Sequence, residues 1–336
     1  MVGTSASSLT KKVNSSDILA GPSGSFSATA GSLNPNTTYY FKAYMTVWNG
    51  KGYVDIESSV GTFTTTAQGT VTQPGWLELP VMTSGSDIFN GSFGSGKNRN
   101  YSYHFDASVY TALWTAYPLT SAHTSGSAST TTWNFNPYIS EEFQINVKAN
   151  SYQTNYGNSK YNRGHLLPAA DRKCDGTMRT QTYYLSNQTP QLESFNSPLW
   201  SNLETTVRNL TSSTDTVYVV TGAAFRKVGG SEKITYLTAA KDDIYPTSIP
   251  VPNYFWKVLL KVKRSGSTVT SACAIGIWMP HQEYSSSTEW QSHVVSVNKI
   301  EEWTGFDFFT NLPGTESSGI EMNAETNSNW STFQDF

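Results

Sequence analysis

Apolar and polar side chains alternate most regularly between residues 39 and 47. Tyr39, Phe41, Ala43, Met45 and Val47 fall on one side and Tyr40, Lys42, Tyr44 and Thr46 on the other, the period of two that predicts a strand with one buried face. Shorter β-like runs are expected at 101–105 and 110–116, and further strands at 216–220, 255–262 and 269–279. Loops rich in Ser, Gly and Thr, such as 120–131, separate these runs. Two stretches read as helices, 198–210 and 294–304, the second through a Val297, Ile300 and Trp303 stripe. Residues 67–75 are polar and aperiodic, which reads as a linker. The pattern therefore predicts a small all-β module over 1–66 and, over 76–336, an α+β domain of many strands and few helices. No internal repeat is present.

Composition sharpens this picture. The chain has 336 residues, of which 37% are hydrophobic, 13% aromatic and only 14% charged. Low charge with much Ser, Thr, Asn, Gly, Tyr and Trp suits an extracellular β-rich protein, so export is expected. Met1-Val2-Gly3-Thr4-Ser5 lacks the charged start and apolar stretch of a signal peptide, and Met1 is read as standing in place of one. No apolar run approaches the roughly 18 residues that span a bilayer. Cys174 and Cys273 are compatible with one disulfide or with two buried thiols, and no Cys/His spacing resembles a zinc site.

The net charge of −3 argues against a tight, non-specific nucleic-acid binder. Its distribution softens the objection, and a turnover enzyme does not need tight binding. Residues 160–210 hold six basic against four acidic side chains, whereas 286–336 hold one against eight. The acidic end, 314–336, is expected to be a solvated and partly disordered tail.

Just before the alternating strand stands Leu33-Asn34-Pro35-Asn36-Thr37-Thr38-Tyr39. It resembles the L-x-P-x-T-x-Y corner of fibronectin type III domains, where the Tyr hydroxyl ties a turn to the next strand. Gly61-Thr62-Phe63-Thr64-Thr65 resembles their last strand. The resemblance implies a short fibronectin III/Ig-like module, the plainer alternative being an unspecific β-hairpin.

The chemistry concentrates in 161–208. Tyr161-Asn162-Arg163-Gly164-His165-Leu166-Leu167-Pro168 places an accessible imidazole after a glycine that permits a tight bend. Arg163 beside it offers a planar donor fork for phosphate. A neutral histidine can take a proton from water near neutral pH. Thr182-Tyr183-Tyr184-Leu185-Ser186-Asn187 looks strand-like, Gln188-Thr189-Pro190-Gln191 looks like a turn, and a helix follows with Asn196 at its entry. Trp200, Glu204 and Arg208 recur every four residues on nearly one face of that helix. An amide oxygen and a carboxylate are hard donors suited to Mg²⁺.

These residues resemble the sugar-non-specific DNA/RNA endonucleases, whose signature runs D-R-G-H-x-x-P, L-S-N-x-x-P-Q and N-x-x-x-W-x-x-L-E-x-x-x-R. Here it is matched at Arg163, Gly164, His165 and Pro168, at Leu185 to Asn187 with Pro190 and Gln191, and at Phe195, Asn196, Trp200, Leu203, Glu204 and Arg208. Weaker echoes stand at Val219-Val220-Thr221-Gly222, at Phe255-Trp256-Lys257-Val258 and along 297–309.

The resemblance implies a ββα-metal nuclease domain with mixed antiparallel sheets, acting on DNA and RNA. It implies His165 as general base and Asn196 as sole direct protein ligand of a hydrated Mg²⁺, with Mn²⁺ as the substitute. Glu204 would hold metal-bound water, Arg208 and Arg163 would clamp phosphate, and Asn187 and Gln191 would brace the site. Products would carry a 5′-phosphate and a 3′-hydroxyl.

Two positions depart from the pattern. The leading Asp is Asn162 here, and no arginine lies between Arg99 and Arg163, which leaves one phosphate contact unassigned.

The remaining histidines, 104, 123, 281 and 293, have no motif around them and read as structural or surface residues. Two other classes of function stay open on sequence. One is a nuclease fold that binds nucleic acid or a surface without cutting. The other makes the β-module a glycan or surface binder through Tyr40, Tyr44 and Trp48.

Overall fold

The computed structural model describes residues 2–3, 5–7, 9, 38–64, 75–94, 99–149, 151–152, 156, 160–212, 216–239, 245–285, 287–313 and 319–336. The chain forms two compact units, 1–73 and 74–336.

The first unit contains strands β1 (Val2–Gly3), β2 (Thr38–Phe41), β3 (Tyr44–Trp48), β4 (Tyr53–Glu57) and β5 (Gly61–Thr64). Strands β1, β2 and β5 make one antiparallel sheet, in that order, and β3 pairs with β4 in another. The single strand expected over 39–47 is thus divided. At Lys42 and Ala43 the chain leaves one sheet for the other, and Ala43 pairs with Ser58 through both its backbone N–H and its carbonyl. Tyr39 is buried and stacks on Phe63, with ring centroids 5.8 Å apart. Residues 33–37 of the fibronectin-like corner lie outside the described residues.

The second unit begins with β6 (Ile88–Phe93), β7 (Tyr101–Asp106), β8 (Thr111–Leu119) and the short helix α1 (Ser121–Thr124). Then come β9 (Tyr161–His165), α2 (Gly176–Thr182), β10 (Gln188–Leu192) and α3 (Ser201–Asn209). It continues through β11 (Val217–Ala224), β12 (Thr235–Thr238), β13 (Ser248–Val251), β14 (Tyr254–Ser265), β15 (Thr268–Pro280) and β16 (Val294–Val295). Helices α4 (Val297–Thr304), α5 (Ile320–Glu325) and α6 (Trp330–Asp335) close the chain.

Seven strands form one antiparallel sheet in the order β16-β15-β14-β11-β8-β7-β6. Both of its faces are covered, which explains why the central strands read as nearly unbroken apolar runs. In β11, Val217, Val219 and Ala223 enter one core while Tyr218, Val220 and Ala224 enter the other. The first core takes in Leu166, Leu167, Phe195, Trp200 and Leu203 from the β9–α3 segment; the second takes in Val297 and Ile300 of α4.

One polar stripe crosses the first face. Thr115 of β8 stands opposite Thr221 of β11, which stands opposite Lys257 of β14, and all three are buried.

The C-terminal end corrects the expectation of a solvated tail. Phe333 of α6 is fully buried, Trp330 meets Trp290 edge-on at 4.7 Å, and the Lys261 ammonium donates to the carbonyls of Phe333 and Gln334. Three aromatics in the last seven residues give the segment enough apolar surface to dock despite its charge.

Candidate active site

The 161–208 segment folds as strand, helix, strand, helix against the polar stripe. Strand β9 pairs with β10 so that His165 faces Gln188, Gly164 faces Thr189, Arg163 faces Pro190 and Asn162 faces Gln191. The strand-like reading of 182–187 and the turn reading of 188–191 are therefore corrected. The strand is 188–192, and Thr182 ends a helix that Asp175 caps by accepting from the Met178 N–H at 2.8 Å. A proline inside β10 is tolerated because this sheet has only two strands, so each is an edge.

Gly164 is needed for close approach rather than for a bend. A Cβ there would stand 2.5 Å from the Gln191 side chain. Alternation along the pair puts Gly164, Asn162, Thr189 and Gln191 on one side and His165, Arg163 and Gln188 on the other. Gln191 is fully buried, and neither its side-chain oxygen nor its nitrogen has a hydrogen-bond partner among the described residues. It braces the back of the strand pair by packing.

Asn187 braces by hydrogen bonds. Its amide oxygen accepts from the Leu167 N–H at 2.9 Å, and its nitrogen donates to the carbonyls of Leu167 and Thr182 at 3.0 and 2.8 Å. The turn that follows His165 is thereby fixed.

His165 packs against two aromatic rings, Trp133 and Tyr183, that also meet each other edge-on at 4.9 Å. Its ring lies 4.6 Å from Trp133, and the Arg163 guanidinium lies over that indole at 5.0 Å. Tyr183 meets the imidazole edge-on at 4.9 Å, and Arg179 lies over the phenol at 5.9 Å. His165 as a residue is half-buried, but its Nε2 is shut off from solvent and has no hydrogen-bond partner among the described residues. Burial, then Arg179, then Arg163 push its pKa down to about 3. The imidazole is therefore neutral at physiological pH and able to accept a proton.

Arg163 is itself anchored, donating from Nη1 to the carbonyls of Val147 and Lys148 at 2.8 and 3.1 Å. Sequence reasoning missed Arg179. The one signal for its helix is the Asp175 cap, since the segment Gly-Thr-Met-Arg-Thr-Gln-Thr carries no apolar stripe.

The second group of polar residues lies where α3 meets the sheet. Arg208 does not pair with Glu204 as an i,i+4 ion pair; it donates to Asp171 at 2.7 Å and to the Thr205 hydroxyl at 3.0 Å. Asp171 is almost fully buried and also accepts from the Tyr117 hydroxyl at 3.4 Å. Glu204 has Lys257 as its principal opposite charge: burial raises the carboxyl and the ammonium opposes that rise. Burial in turn lowers the Lys257 ammonium, which Glu204 and Asp171 support. Lys257 donates to Thr221 at 2.6 Å and lies over the Trp200 ring at 4.9 Å.

Neither Asp171 nor Lys257 was singled out on sequence as a site residue. Lys257 looks like a strand residue there, and only register places it beneath Glu204. Trp200 is fully buried in the core.

Asn196 lies in the kinked segment Phe195–Trp200 that leads into α3, where Ser197 is extended (φ −140°, ψ 127°), and its carbonyl accepts from the Ser201 N–H. Its half-buried amide and the Glu204 carboxylate are hard oxygen donors on one short segment. Among the described residues no three His, Cys, Asp or Glu side chains gather as a metal site. Of the other histidines, His281 accepts from the Leu192 N–H at 2.8 Å and contacts the Pro252 carbonyl, pinning β10 to the sheet. His104 is buried on Trp114 and bonded to Asn90. Both serve the fold.

The profile of DNA/RNA non-specific endonucleases matches residues 84–315. The chain belongs to that family.

Among its relatives, the mitochondrial nuclease of Saccharomyces cerevisiae is 27% identical over 198 residues, covering 56% of this chain and 59% of the yeast protein. The mitochondrial nuclease EXOG of Danio rerio is 29% identical over 243 residues, covering 68% and 67%. The match thus spans less than two thirds of the yeast protein's length. A crystal structure of EndoG in complex with EndoGI superposes with a TM-score of 0.53 at 25% identity, over 65% of this chain and 86% of that one.

These endonuclease relatives correct the expectation of export. The yeast and zebrafish proteins are mitochondrial nucleases, so the likeness gives that expectation no support. Both cysteines are unpaired, Cys174 exposed and Cys273 buried.

Proposed function

We propose that this chain is a metal-dependent endonuclease that hydrolyses phosphodiester bonds in DNA and RNA without sequence preference. The observation that carries the proposal is His165: a neutral imidazole whose Nε2 has no hydrogen-bond partner among the described residues and which feels two guanidinium groups. A base needs an acceptor nitrogen that is not already engaged, and cations nearby stabilise the charge that develops on a reacting phosphodiester.

His165 takes the proton of the attacking water. Arg163 holds a phosphate oxygen while its backbone anchors fix its direction. Asn196 would hold the metal, Mg²⁺ by donor hardness with Mn²⁺ as substitute, and Glu204 would hold its water. The metal, when bound, supplies charge neutralisation at the phosphate and the leaving 3′ oxygen. Arg208, tied to Asp171, contributes positive potential near Glu204 that would help hold phosphate. Asn187 keeps the turn after His165 in place. Products would carry a 5′-phosphate.

Every residue in this scheme lies in the 74–336 unit, so residues 1–66, with their fibronectin III-like pattern, would act as a separable module followed by a linker at 67–75. Asn196→Ala tests the metal assignment. The divalent-ion concentration for half-maximal plasmid cleavage should rise at least tenfold and the maximal rate should fall. Unchanged metal dependence would leave Asn196 as a helix-entry residue only.

A further inference from the structure

Arg179 is a cation without an assigned task. Its Nη1 donates to the Ala169 carbonyl, and its guanidinium lies over Tyr183. Its Nε is buried and has no hydrogen-bond partner among the described residues. Leaving a charged donor buried and unsatisfied is costly, and here a second unsatisfied atom, His165 Nε2, belongs to the same layered cluster.

Trp133, His165 and Tyr183 form a triangle of rings with centroid spacings of 4.6, 4.9 and 4.9 Å, with Arg163 lying over Trp133 at 5.0 Å and Arg179 over Tyr183 at 5.9 Å. Both arginines are tied through one Nη1 to backbone carbonyls. Such anchoring fixes a fork's direction before a ligand arrives, and a planar fork suits two phosphate oxygens.

From this geometry we infer that Arg179 is a phosphate-binding residue, forming with Arg163 a cradle that holds the scissile phosphate beside His165. This deepens the nuclease reading and rests on it for the word scissile; the binding of a phosphate dianion by the two arginines does not.

The cradle also couples binding to basicity. The charges that act on His165 are Arg179 on α2 and Arg163 on its own strand, while Trp133 and Tyr183 enclose the ring. Both arginines hold the imidazole pKa down. An anion seated between them cancels part of that field, so the imidazole becomes a stronger base when substrate is bound.

The test is NMR titration of the His165 imidazole and the arginine Nε–H groups in the full chain with inorganic phosphate, without metal. In the wild-type protein, phosphate should shift the Arg179 Nε–H resonance and raise the His165 pKa. Arg179→Gln should raise that pKa by about one unit before any phosphate is added and weaken phosphate binding about tenfold. Arg179→Lys should keep the low pKa and lose part of the affinity. A wild-type Arg179 resonance that phosphate does not move would overturn the inference even if the variants fail to fold. So would a folded Arg179→Gln with unchanged affinity and an unchanged His165 pKa. Phosphate binding as expected with no cleavage of plasmid or RNA would instead overturn the nuclease reading and leave the cradle standing.

Discussion

The two polar groups on either side of the strand–helix segment are built on opposite terms. Around Glu204, the buried charges answer one another: Asp171 takes Arg208, Lys257 faces Glu204, and Thr221 and Thr205 accept from the cations. Around His165, cations face aromatic rings, and His165 Nε2 and Arg179 Nε have no hydrogen-bond partner among the described residues. In the first arrangement opposite charges are paired and hold α3 to the sheet. The second is electrostatically incomplete, because both charges acting on the imidazole are positive. The unanswered charge sets the two apart, since unpartnered buried polar atoms occur elsewhere too, as at Gln191 and Thr115.

Breaking each side should give opposite signatures. On the unanswered side, His165→Ala should cost about 10²–10⁴ in cleavage rate, the usual worth of a general base. Its urea midpoint should stay level or rise, since a buried polar atom without a partner is removed. A near-normal rate in this variant, measured on plasmid, would remove His165 from the mechanism.

The answered side should fail through stability. Lys257→Met keeps the bulk but leaves Glu204 without its buried counter-charge, and such a loss costs on the order of 3–5 kcal/mol. Urea denaturation would read this as a clear fall in midpoint. An unchanged midpoint would mean that Lys257 is not what supports Glu204.

Acid should sharpen the contrast by a smaller amount. Burial pushes His104, His123 and His281 down to about 4, and His165 to about 3. A pKa lowered in the folded state means that the unfolded chain binds the proton first, so the stability these groups confer is full above about pH 6.5 and is lost on the way down to pH 4. Thermal melts should be level from pH 8 to 6.5 and decline below. If instead the decline began only below pH 4, the histidines would not be buried as neutral groups.

The departure at Asn162 should matter least. Register puts Asn162 opposite Gln191, on the side of the strand pair away from His165. Asn162→Asp should thus change the rate less than about tenfold, under 1.4 kcal/mol of barrier. A larger gain would show that a carboxylate reaches the imidazole after all.

What was legible in the sequence follows the same division. Strands β14 and β15 were visible because burial on both faces leaves long apolar runs, and His165, Asn187 and Asn196 were visible through their motif spacing. Helix α2 was not, because its seven residues bury little and only the Asp175 cap marks them. Arg179 was missed with it. Strand β10 reads as a turn in sequence because proline usually breaks a strand, and the two-stranded pairing is what makes Pro190 harmless. Asp171 and Lys257 are brought to Arg208 and Glu204 by register and packing across 37 and 53 residues of chain, a separation that no local pattern records.

The central claim is that the incomplete side exists to hold and cut a phosphodiester. Incubating the purified full chain with supercoiled plasmid and with RNA, in Mg²⁺ and in EDTA, tests it most directly. The account predicts nicked then linear and fragmented DNA, degraded RNA, 5′-phosphate ends, and no cleavage in EDTA. Intact plasmid and intact RNA in both Mg²⁺ and Mn²⁺ would contradict it.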